Sequence, residues 1–295
     1  MSNRGVILTQ IITFFTIWLV AWLPLAVPLS IRVGWKPFTP SPANQKLPLL
    51  ACLYLLIPIL LPLFTMQIGG TFQAYGFNIN PSFCFSLIIG LGIGVFSMIL
   101  LFALELVLGW VVWQEPLVTE QSKSTPSFPT QTFVPDSITQ VIKKVKTIIP
   151  ILLLALWVSI TEEIVFRGFL LHQLQLIYTP WVAAALASSL FALLHLIWDA
   201  GSTVVPQLPG LWLMGMVLTM ARWLDGNNLG LACGLHGGWV WVIASLDSLQ
   251  SLKYSGQVSP WVTGWRRNPI AGMMGITFLV VTGIGMYLVK IQTQL

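Results

Sequence analysis

Between Arg4 and Arg32 the chain runs for 27 residues without one formally charged side chain, and similar apolar runs recur to its end. About 20 apolar residues of helix cross the hydrocarbon core of a bilayer, so each such run is long enough to span. Composition agrees: 56% of residues are hydrophobic and 8% charged, against about 25% charged in soluble domains. The chain is therefore read as all-α, a polytopic membrane protein whose bundle of about eight transmembrane helices encloses a polar cavity. The spans expected are 7–30, 47–68, 83–112, 147–176, 181–200, 206–224, 228–248 and 269–291. Pro24, Pro28, Pro58 and Pro62 predict kinks in the first two.

The first run is longer than the h-region of a signal peptide, so it is read as a retained span. Net charge is +5, yet no basic stripe interleaved with aromatics occurs, which excludes a nucleic-acid partner. The basic residues instead report topology. Arg32, Lys36, Lys46, Lys123, Lys143, Lys144, Lys146, Lys253, Arg266 and Arg267 fall in loops after odd-numbered spans. Only Arg4, Arg222 and Lys290 lie on the other side. Ten against three puts the odd-numbered loops of this multi-pass protein in the cytoplasm. Cys52, Cys84 and Cys233 lack C-x-x-C spacing and are read as small buried hydrophobes.

Four regions follow. Residues 1–113 hold N-terminal transmembrane helices. Residues 114–146 form a polar linker, rich in Ser, Thr and Pro and without a fixed fold, then a basic amphipathic lead-in at the headgroups. There Asp136 or Ser137 can cap a helix, Ile138, Val141, Ile142 and Val145 make an apolar stripe, and Lys143, Lys144 and Lys146 flank it. Residues 147–248 carry the motifs described next, and 249–295 are a loop and a last transmembrane helix.

An ionisable side chain in a span costs about 3 kcal/mol, so each one requires a reason. Glu105, Glu162, Glu163, Arg167, His195 and His236 lie well inside spans; His172, Asp199, Arg222, Asp225 and Asp247 lie near span ends. Glu163 and Arg167 are four apart with the acid first, the favourable order for a helical ion pair. Glu162 is rotated from Glu163 by about 100°. This predicts a division: Glu163 with Arg167 as a structural pair, and Glu162 available for chemistry. Phe191 and His195 share one face of the next span. Gly226, Gly230, Gly234 and Gly238 form a small-residue stripe for close helix packing, with His236 about 200° around from Gly234. Glu105 has no evident partner and is read as structural, snorkelling or protonated. A carboxylate and two histidines on three spans imply a converging polar site. Their apparent depths differ, which predicts displaced span ends or broken helices there. One shared water requires the three within about 12 Å.

Three motifs in order, "EEIVFR" (Glu162, Glu163, Arg167), "FALLH" (Phe191, His195) and "HGGWV" (from His236), resemble the CAAX prenyl protease and bacteriocin-processing (Abi) family of intramembrane proteases. That family's hallmark is E-E-x-x-x-R, then F-x-x-x-H, then H-x-x-x-N. The resemblance covers residues 162–240 and implies that Glu162 is a general base activating a water held with His195. It implies that His236, with the family's Asn, donates hydrogen bonds to the oxyanion. Here Val240 replaces that Asn; Trp239, Trp241 or backbone N–H groups near Gly237 are the candidate substitutes. Glu162, His195 and His236 would serve either as three zinc ligands with water fourth or as a metal-free water site. No H-E-x-x-H, G-x-S-G or G-x-G-D motif is present.

The resemblance implies a membrane-embedded endopeptidase whose partners are the lipid bilayer and a membrane-associated or prenylated peptide or protein. A non-catalytic membrane scaffold or chaperone on the same fold is the alternative, which Val240 favours. A proton-coupled transporter is the third reading, and no clear inverted repeat supports it.

Overall fold

The computed structural model describes residues 3–114 and 136–292, with residues 136–140 as backbone alone. Most of the expected linker (115–135), the capping roles of Asp136 and Ser137, and Ile138 of the apolar stripe lie outside what is described. In chain order the elements are α1 (Asn3–Val33), α2 (Ala43–Leu55), α3 (Ile57–Gln67), α4 (Pro81–Val107) and β1 (Val111–Trp113). Then come α5 (Asp136–Glu163), a π-helical turn (Ile164–Leu170), α6 (Leu171–Gln175), α7 (Pro180–Leu194) and a 3-10 turn (His195–Trp198). The chain continues with α8 (Gly201–Val204), a 3-10 turn (Val205–Gln207), α9 (Leu208–Leu224), α10 (Gly230–Ser248), β2 (Leu252–Tyr254) and α11 (Pro260–Thr263). After two short 3-10 turns, α12 (Met273–Gln292) ends the described chain.

This is a polytopic all-α membrane fold. Seven helical stretches among the described residues are long and apolar enough to cross a bilayer: Asn3–Val33, Ala43–Gln67, Pro81–Val107, Val141–Gln175, Pro180–Trp198, Gly201–Leu224 and Met273–Gln292. The eighth expected span exists as α10, but Gly234, His236, Gly237, Gly238 and Asp247 dilute its hydropathy. It tolerates them because much of it is buried by other helices, so protein rather than lipid is its solvent. Around the periphery, large apolar side chains such as Ile12, Phe85, Phe96, Leu153 and Trp181 are exposed, as a lipid-facing surface requires. That surface also corrects the reading of the cysteines. All three are free thiols, but Cys84 is exposed and only Cys233 is fully buried.

Pro58 explains the one interruption in the second span. Its ring conflicts with the carbonyl of Tyr54, four residues earlier, and the helix breaks at Leu56. The α1 helix continues through Pro24 and Pro28. Its indoles fasten it to α2: Trp18 donates to the Leu53 carbonyl at 2.9 Å and Trp22 to the Leu49 carbonyl at 3.1 Å. These bonds fix the turn that carries Tyr54.

The expected third span ends early. At Gly109, a φ of +71° turns the chain, and Val111–Trp113 leave the helix to pair antiparallel with Leu252–Tyr254. β-Branched and aromatic residues just beyond a glycine favour that exchange. Glu105, in the last helical turn before it, is wholly buried with no hydrogen bond to either carboxyl oxygen, so it does not snorkel.

The glycine stripe finds its partner in α4. A Cβ on Gly234 would lie 2.0 Å from the Leu87 carbonyl oxygen, and one on Gly238 would lie 2.8 Å from that of Leu91. The partner helix contributes its own glycines: a Cβ on Gly90 or Gly94 would meet the carbonyl oxygens of Leu231 and Leu235 at 2.2 and 2.5 Å. The two backbones are therefore in direct contact. Gly226 is not part of this seam. It lies in the α9–α10 turn with φ +65° and open space beside it.

Candidate active site

The two adjacent glutamates end α5, and the helix widens immediately after them into the π-helical turn that holds Arg167. Such turns insert extra backbone and re-aim side chains. Arg167 Nη1 nevertheless reaches Glu163 Oε1 at 3.0 Å, with both residues buried. The contact is single-point: Glu163 Oε2 and Arg167 Nη2 have no hydrogen-bond partner. Arg222, on α9, is a buried arginine that takes the Arg167 carbonyl with Nη1 and reaches the Ala74 and Asn227 carbonyls at 3.3 Å. It ties the widened turn to its neighbours. Its place near the end of the sixth span gave it no such role in the sequence.

His236 faces α5 from α10, on the side away from the glycine seam. Its Nδ1 is 2.8 Å from Glu163 Oε1, and its Nε2 is 3.7 Å from Glu162 Oε2. The imidazole thus lies between the two carboxylates, bonded to Glu163 and close to Glu162. Glu163 is more than half of an ion pair, since the oxygen that holds Arg167 also orients His236 and sets Nδ1 as the protonated nitrogen. Close approach of α10 to α5 requires Gly237, whose Cβ would stand 3.1 Å from Leu156 and Ser159 side-chain atoms.

His195 begins the 3-10 turn at the end of α7 and is half-buried. Its Nδ1 donates to the Phe191 carbonyl at 2.8 Å, which leaves Nε2 as a lone-pair acceptor. Phe191 is the hub of the three motifs. Its ring centroid is 4.8 Å from that of His195, 6.2 Å from that of His236 and 4.3 Å from Arg167 Cζ. The two imidazole centroids are therefore no more than 11.0 Å apart, the sum of the two ring distances. That is inside the limit of about 12 Å for a shared water. Helix character changes at both expected places, in the π turn after Glu163 and in the 3-10 turn from His195, which accounts for the scatter in depth.

Beyond His195, the 3-10 turn is held from the N-terminal side. Lys46 pairs with Asp199, Phe38 N–H donates to the Ile197 carbonyl at 3.1 Å, and Trp198 packs on Trp22 and Trp35.

The zinc alternative does not fit this arrangement. Among the described residues no three His, Cys, Asp or Glu side chains gather as a metal-binding group. Nor do the expected substitutes for the missing Asn hold. Trp239 donates its indole N–H to Ser97 Oγ and Trp241 donates to the Ile148 carbonyl, each at 2.9 Å. The N–H groups around Gly237 lie within α10, where the helical ladder engages them. Val240 itself is half-buried and offers no donor.

One group was missed altogether. Tyr54, on α2, donates its hydroxyl to Glu162 Oε1. The available signal was a lone phenol in the apolar stretch "LACLYLLIP", since a buried tyrosine hydroxyl finds a partner.

Gly215, on α9, closes the back of the site. A Cβ there would stand 2.6 Å from Ser188 Oγ and 3.1 Å from Arg167 Nη2. Gly215→Ala is expected to push the guanidinium off Phe191 and Glu163, costing about 1–3 kcal/mol. Thermal unfolding of the detergent-solubilised protein measures it; an unchanged midpoint would mean that the site has slack.

Residues 144–242 match the family described as Rce1-like, type II CAAX prenyl endopeptidase. The matched segment contains all three motifs and agrees with the family that they resemble. It supports a protease of the CAAX endopeptidase type, embedded in the membrane and acting on a peptide substrate. No curated protein matches the chain.

Proposed function

We propose, from the Rce1-like match over residues 144–242, that this protein hydrolyses a peptide bond of a membrane-associated or prenylated substrate with a water activated by Glu162 and His195. The two imidazoles on the Phe191 ring, with Glu162 beside that of His236, carry the reading. Glu162 retains 8% exposure where Glu163 has none, so it is the carboxylate that water can reach. As the water oxygen attacks the carbonyl carbon, Glu162 takes one proton. The bare Nε2 of His195 accepts a hydrogen bond from the other O–H. When the tetrahedral intermediate collapses, Glu162 returns its proton to the leaving amine. His236, held at Nδ1 by Glu163, presents Nε2 at 3.7 Å from Glu162 Oε2 and so helps to orient the general base.

Cleavage of a panel of membrane-tethered and prenylated peptides by the purified protein tests this. His195→Ala is expected to lower the rate about 10²-fold while leaving the fold intact. A wild-type protein that cuts nothing in the panel would favour the scaffold reading, which Val240 and the engaged Trp239 and Trp241 indoles also favour.

A further inference from the structure

Glu162 is reached by a side chain from outside the segment that matches the protease family. Tyr54 lies in the last turn of α2, 108 residues earlier, and is buried with its hydroxyl on Glu162 Oε1. The other donors nearby are few. His236 Nδ1 is engaged by Glu163, Trp239 by Ser97 and Trp241 by Ile148, and Val240 has no donor. Two polar groups stand beside the Glu162 carboxylate, the Tyr54 hydroxyl on Oε1 and His236 Nε2 at 3.7 Å from Oε2. They bracket the carboxylate.

We propose that Tyr54 is a catalytic hydrogen-bond donor of the peptidase reaction, an inference that rests on Glu162 being its general base. In the resting site the phenol O–H is held on Glu162 Oε1. As the water oxygen bonds to the substrate carbonyl carbon, a water proton passes to Glu162 and the carbonyl π pair moves onto oxygen. Protonated Glu162 is then a weaker acceptor than the new oxyanion. The Tyr54 O–H turns about its Cζ–Oη bond and donates to the oxyanion. On collapse the pair returns to carbon, the C–N bond breaks, Glu162 gives its proton to the amine, and the phenol turns back. Tyr54 loses no proton at any stage. Its new hydrogen bond exists only once charge has developed, the condition under which a donor raises kcat rather than tightening substrate binding.

Tyr54→Phe keeps the ring and its packing and removes only the donor. Its kcat is expected to fall about 10²-fold with KM changed less than about twofold. Val240→Asn then serves as a second arm, because position 240 is one turn after His236 on the same helical face. In the Tyr54→Phe background it is expected to restore kcat about tenfold. Melting of each variant in detergent checks that the fold is kept. An unchanged kcat in Tyr54→Phe overturns the proposal. A fall with no recovery in the double variant also overturns it, leaving Tyr54 as a holder of Glu162. If the wild type is inert and Val240→Asn alone is active, Tyr54 does not fill the role although Glu162 does its chemistry. If neither cuts any peptide, the peptidase reading fails and takes the Tyr54 assignment with it.

Discussion

Glu162→Gln is expected to lower peptide hydrolysis about 10⁴-fold, the upper range for losing a general base, while the protein still folds. Glutamine matches the glutamate in size, its carbonyl oxygen can accept the Tyr54 hydroxyl, and its position near His236 is unchanged. What it cannot do is take a proton from water at neutral pH. The loss should therefore appear in kcat, with KM and the detergent melting midpoint near those of the wild type. A glutamine variant that keeps more than about a tenth of the activity would remove Glu162 from the general-base role, because no amide performs it.

Gly234→Leu is expected to act on the fold itself. The added Cβ would lie 2.0 Å from the Leu87 carbonyl oxygen and 2.6 Å from the Leu91 nitrogen. Both are backbone atoms of α4, so no rotamer change relieves the clash and the helices must separate. Overpacking of a flexible core costs about 1–3 kcal/mol, and a rigid backbone contact is expected at or above the top of that range. His236, two residues on, would leave its place between Glu162 and Glu163. The measurement is the fraction of monodisperse protein after extraction, with Gly92→Leu as control. Gly92 is on the same α4 helix, but its Cβ would meet nothing within 4 Å. Equal behaviour of the two variants would deny the seam its structural role.

Why the sequence carried some of this and not the rest follows from the range of each signal. Helix periodicity and small-residue spacing are local, so the bundle, the Glu163–Arg167 contact and the face of α10 that seeks a partner were all readable within a few turns. Burial of charge in an apolar run is also local, and it drew attention to Glu162, His195 and His236. Tyr54 carried only the weak signal of a lone phenol in an apolar helix, because the hydrogen bond that gives it importance runs to a residue 108 positions away. Arg222 was set aside for a similar reason. Its acceptors are main-chain carbonyls of Arg167, Ala74 and Asn227, and main-chain acceptors leave no mark in the sequence. The β1–β2 ribbon escaped because Trp110, Val111 and Val112 extend an apolar run seamlessly, and only the turn at Gly109 breaks the helix. Regular 3.6-residue geometry holds up to Glu163 but not through the π turn that follows.

The α4–α10 seam has a thermodynamic side. Ordering a long side chain on folding costs up to about 2 kcal/mol of rotamer freedom, and glycine has none to lose. Where Gly90 and Gly94 meet Gly234 and Gly238, main chain is held against main chain with nothing left to rearrange. The helix that carries His236 is therefore registered to its neighbour by covalent geometry rather than by a population of rotamers. His236 keeps its bearing on the two glutamates for as long as the two backbones stay in contact.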